Sequence, residues 1–89
     1  MNKKEFQLQL DQLSYDGVIY VSHKEVRYEV RCYYENGDSK SFSLQKAVMC
    51  GDSMNIEKLT STCIALYSFD MMNQRTTYKM KFNEIELVV

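Results

Sequence analysis

Residues 26–34, Val-Arg-Tyr-Glu-Val-Arg-Cys-Tyr-Tyr, decide the fold class. Val26, Tyr28, Val30, Cys32 and Tyr34 alternate with Arg27, Glu29, Arg31 and Tyr33. Successive side chains of a strand point to opposite faces, so one face is apolar and the other charged. That is the pattern of a half-buried antiparallel strand, since strands of parallel sheets are apolar on both faces.

The strand runs into Asn36-Gly37 and then a second alternating stretch, so the two form a hairpin. A two-residue Asn-Gly turn would set Val30 opposite Ser43 and turn Phe42 to the charged side. A three-residue loop, Glu35-Asn36-Gly37, sets Val30 opposite Phe42 and Tyr28 opposite Leu44. Gly37 then takes the left-handed position of a bulge. The second register is preferred, because a one-residue slip inverts every side chain.

Upstream, residues 18–22 (VIYVS) are β-branched and aromatic and predict a short strand. Residues 2–14 predict a helix. Asn2 is a capping residue with Glu5 three positions on, and Phe6, Leu10 and Leu13 share one stripe. Leu8 falls off that stripe. Downstream, residues 45–60 are ambiguous. Gly51-Asp52-Ser53 reads as a break and cap, after which Met54, Ile56 and Leu59 suggest a helical turn or two, or an ordered loop. Residues 62–69 (TCIALYSF) read as a strand apolar on both faces, central in the sheet. Residues 70–75 read as a loop. In residues 76–82, Tyr78, Met80 and Phe82 point in while Lys79 and Lys81 point out. Ile85, Leu87 and Val89 are in the opposite phase, which requires a bulge or a tight helical turn at Asn83-Glu84.

The whole is α+β and mainly β: an N-terminal helix followed by a strongly bent five- to six-stranded antiparallel sheet. Such a sheet either closes as a small SH3-like or Sm-like barrel, with the helix over one mouth, or stays open with the helix on one face.

Eighty-nine residues make one domain, 1–89, and a modest core. With no proline and three glycines, little of the chain is left for linkers. Cys32, Cys50 and Cys63 form no C-x-x-C pair, so they read as reduced thiols and predict neither a metal site nor a disulfide framework. The opening MNKKEF is followed by no long apolar run, which predicts a cytoplasmic protein without signal peptide or membrane span.

Catalysis is not expected. The one histidine, His23, sits in the polar turn segment SHKE and reads as solvated. No nucleophile–base order or glycine-rich phosphate loop is present. No cofactor is implied.

Two binding functions remain. Protein–protein interaction, as inhibitor, adaptor or subunit, is favoured by seven tyrosines and six methionines, residue types suited to interfaces. Tyr33, Tyr67, Met71 and Met72 are the candidate contacts, the two methionines at a loop tip. Small accessory proteins of phages and mobile elements share this size and lack of motif. The runner-up is a nucleic-acid-binding regulator. If the two hairpins adjoin, Arg27, Arg31, Arg75, Lys79 and Lys81 make a basic, partly aromatic patch. The net charge of −1 gives that reading no global support. The terminal strand leaves an edge through which a homo-oligomer is conceivable.

Overall fold

Helix α1 (Lys3–Gln12) begins where Asn2 caps it, its Oδ1 accepting from the Glu5 amide at 2.8 Å. The computed structural model describes residues 1–35, 39–46 and 53–88. At the other helix end, Lys40 Nζ donates to the carbonyls of Leu13 and Asp11, satisfying acceptors the last turn leaves open. Phe6, Leu10 and Leu13 are buried, as their common stripe requires, and Leu8 is exposed.

Seven strands follow, one or two more than expected: β1 (Ile19–His23), β2 (Val26–Glu35), β3 (Ser39–Lys46), β4 (Met54–Leu59), β5 (Cys63–Phe69), β6 (Arg75–Lys81) and β7 (Ile85–Leu87). They form one antiparallel sheet in the order β6-β5-β4-β3-β2-β1-β7. The chain thus meanders across the sheet, and its last strand returns to pair with the first.

That return forces curvature. Laid flat at about 4.8 Å per strand, β6 and β7 would lie roughly 29 Å apart. Only a single 3-10 turn, Phe82–Glu84, joins them. Its four Cα steps span at most about 15 Å. The sheet therefore curls into a half-barrel, with no pairing between β6 and β7 among the described residues. The phase change between Phe82 and Ile85 is absorbed by this turn, as the sequence predicts.

The concave face and the helix form one core. Val21, Val30, Leu44, Ile64, Leu66 and Ile85 are essentially inaccessible, and Phe6 packs on Phe82 with ring centroids 6.0 Å apart.

Several expectations are corrected. Residues 54–59 are strand, not helix. The hairpin register pairs Val30 with Leu44 and Cys32 with Phe42, two residues from the preferred one, with residues 36–38 between the strands. The shift by two keeps every side chain on its expected face, so apolar pattern cannot separate the two registers. The observed one sets Lys40 opposite Tyr34, where it reaches the helix end. The conformation of Gly37 lies outside the described residues, as does that of Cys50. Phe42 is only half-buried, and Tyr78 is 45 % exposed because β6 is an edge strand with no further strand beside it among the described residues. His23 ends β1 partly buried against Glu84, at 3.4 Å, rather than standing in the turn. Among the described residues no helix is long and apolar enough to cross a membrane.

Candidate protein-interaction site

The β5–β6 connection is a built turn. Asp70 O accepts from the Asn73 amide at 2.9 Å, and the Asp70 amide donates to Gln74 O at 3.1 Å. The Asp70 carboxylate accepts from the amides of Met72 and Gln74, each at 2.9 Å. Asn73 takes φ 64°, a conformation that asparagine tolerates better than most residues. Met71 and Met72 occupy the two central positions, 103 % and 81 % exposed. Phe69, 56 % exposed, ends β5 immediately before them.

Behind the tip, the described residues leave the half-barrel open. A cleft of about 750 Å³ is lined by Tyr28, Met54, Phe69, Tyr78 and Met80, with His23, Ser68, Asp70 and Thr76 among its polar groups. Volume and mixed lining are those of an ordinary binding pocket.

Tyr33 and Tyr67, the other two expected contacts, stand off the turn itself, although Tyr67 touches Phe69 at its base. They lie half-buried on the convex face, on either side of Asn55. Tyr33 donates its hydroxyl to Asn55 Oδ1 at 2.9 Å. Asn55 is the direct cross-strand partner of Tyr67. Tyr67 meets Phe69 edge-on, and the Arg75 guanidinium covers its ring at 4.5 Å.

The basic candidates divide. Arg27 stacks on Tyr20 at 4.4 Å, Arg31 pairs with Glu29 at 3.3 Å and Arg75 pairs with Glu57 at 2.9 Å. Arg27 and Arg31 sit on β2, whereas Arg75, Lys79 and Lys81 sit on β6, with β3, β4 and β5 between them. The expectation that the two hairpins adjoin is therefore corrected: β4 separates them. Lys79 and Lys81 have no ion pair among the described residues. Lys58, which the sequence reading passed over, stands with Lys79 on either side of Ala65 in one cross-strand row.

No protein family, curated protein or solved structure matches this chain. The site must accordingly be read from its own chemistry. Among the described residues no three of His, Cys, Asp and Glu converge as metal ligands. His23 has one carboxylate beside it, Glu84, which also lies 3.8 Å from Lys24. Cys32 and Cys63 are buried thiols: Cys32 faces the Leu13 carbonyl at 3.6 Å and Cys63 faces the Thr60 hydroxyl at 3.2 Å.

The sequence signal for the tip is the doublet Met71-Met72 between two strands. Phe69 and Tyr78 were hidden by alternation alone, because alternation assigns a face but not whether anything covers it.

Proposed function

We infer that this chain is a non-catalytic protein-binding domain, an inhibitor, adaptor or subunit, that grips its partner with the β5–β6 tip. The observation that carries this reading is the pairing of full exposure with a fixed backbone at Met71 and Met72. Exposed apolar side chains on a loose loop lose much of their binding energy to ordering. Four hydrogen bonds through Asp70 have already ordered these. Methionine adapts to irregular partner surfaces, and Phe69 beside it supplies a stiff aromatic anchor.

The test places a photo-crosslinker at Met71 and, as control, at exposed Lys3 on the helix. A defined protein should be captured at Met71 and not at Lys3. Met71→Ala/Met72→Ala should then weaken that complex by about 100-fold or more, the scale of interface hot spots, with the urea midpoint unchanged. A loss below about threefold would overturn the reading.

A further inference from the structure

Among the described residues, strand β6 is an edge of the sheet and pairs only with β5. Phe82 donates to Thr62 and Asp70 donates to Gln74, and both pairs continue the β5–β6 register. Hydrogen-bonded and non-bonded pairs alternate along an antiparallel ladder. Residues 76, 78 and 80 therefore turn their backbone groups toward β5. Arg75, Thr77, Lys79 and Lys81 turn theirs outward, where no hydrogen bond among the described residues engages them. The cleft reaches this edge: His23 and Tyr28 line it from β1 and β2, and Thr76, Tyr78, Lys79 and Met80 from β6.

We propose that β6 takes up an extended segment of a partner protein as an added strand, one whose residues alternate between acidic and apolar. The proposal rests on the protein-binding reading and names the chemistry recognised. Its apolar residues face Tyr78 and Met80 and close the cleft. Its acidic residues face Lys79 and Lys81 on the convex side.

Charge also selects against a second copy of this chain. Any two-fold β6–β6 register centred from Thr77 to Met80 sets one cation among Arg75, Lys79 and Lys81 directly opposite another. Like charges directly opposite destabilise a strand pair, and lysines on an edge are a common guard against self-association.

Hydrogen exchange on the full chain, followed by NMR, tests this with two blocked eight-residue peptides, one alternating valine and glutamate, the other valine and lysine. The outward amides of Arg75, Thr77, Lys79 and Lys81 should exchange fast in the free protein. The valine–glutamate peptide should slow them by about tenfold or more, leaving the Tyr78 and Met80 amides as they were. The valine–lysine peptide should do neither.

Thr77→Pro removes one outward donor without touching the β5 ladder, and should abolish the protection. Should that variant not fold, Lys79→Glu/Lys81→Glu retains every backbone bond and should exchange the preference from the glutamate to the lysine peptide. Equal effects of the two peptides, or no protection by either, would overturn the proposal. So would a dimer whose four outward amides are already protected. Met71→Ala/Met72→Ala should leave peptide protection intact, so edge pairing and tip contact fail separately.

Discussion

Lys24 and Glu25 join β1 to β2 with φ of 50° and 68°. Two residues with positive φ make the turn whose twist matches a hairpin, and Asn-Gly is the pair that adopts it most readily. A side chain with a Cβ costs about 1–2 kcal/mol there. The Lys24–Glu84 contact at 3.8 Å offsets little of this, because exposed ion pairs contribute about 0–1 kcal/mol. Lys24→Asn/Glu25→Gly should therefore stabilise the protein by about 1 kcal/mol, after the entropic cost of the new glycine. A urea melt with a raised midpoint and unchanged slope checks it. The same scale separates two phenylalanines that share an expected place in the core. Phe82 is buried against Phe6, and Phe42 is only half-buried. Phe82→Ala should cost about 3–5 kcal/mol and Phe42→Ala clearly less. Equal losses would place Phe42 deeper than its exposure indicates.

Among the elements, the β5–β6 tip and strand β4 are the most instructive. Asp70 holds the tip through its carboxylate and its backbone. Asp70→Ala should thus weaken partner capture by about tenfold while leaving Met71 and Met72 in place, because a loosened loop must be ordered again on binding. Affinity and melting point measured together distinguish this from unfolding. Strand β4 shows why part of the fold was illegible. A bulge lies between Ile56 and Lys58, so the register skips Glu57 and Leu59 faces in where Lys58 would have. Met54, Ile56 and Leu59 are then spaced by two and three residues. The second interval mimics a helical step, and no period-two reading survives it. Elements with unbroken alternation or a single stripe, β2 and α1, were legible in type and phase, although the helix is shorter than expected, Lys3–Gln12, and Val26 and Tyr34 at the strand ends are exposed. The tip methionines were legible as candidates. The free edge of β6 was not, because strand order is set by long-range pairing that no local period reports.

At the scale of the whole molecule, the strand order separates the basic residues that adjoining hairpins would have brought together. Arg27, Arg31 and Arg75 are engaged with Tyr20, Glu29 and Glu57 respectively, while Lys58, Lys79 and Lys81 gather on β4 and β6. With a formal net charge of −1, no long-range field adds to this patch. Each phosphate neutralised contributes about −0.7 to −0.9 to the slope of log affinity against log salt. Three lysines thus predict a slope of about −2 to −3, and a dissociation constant in the non-specific range of about 10⁻⁴ to 10⁻⁶ M. Filter-binding titrations with mixed RNA and DNA between 50 and 200 mM salt, on the order used to resolve such slopes, measure both. A slope near −5 with tighter binding would mean that the arginines leave their present partners to meet phosphate. The nucleic-acid reading would then displace the protein-binding one. Charge reversal by Arg31→Glu separates the cases further. It should leave affinity for nucleic acid nearly unchanged if only the β4–β6 lysines act, and lower it at every salt concentration if β2 contributes.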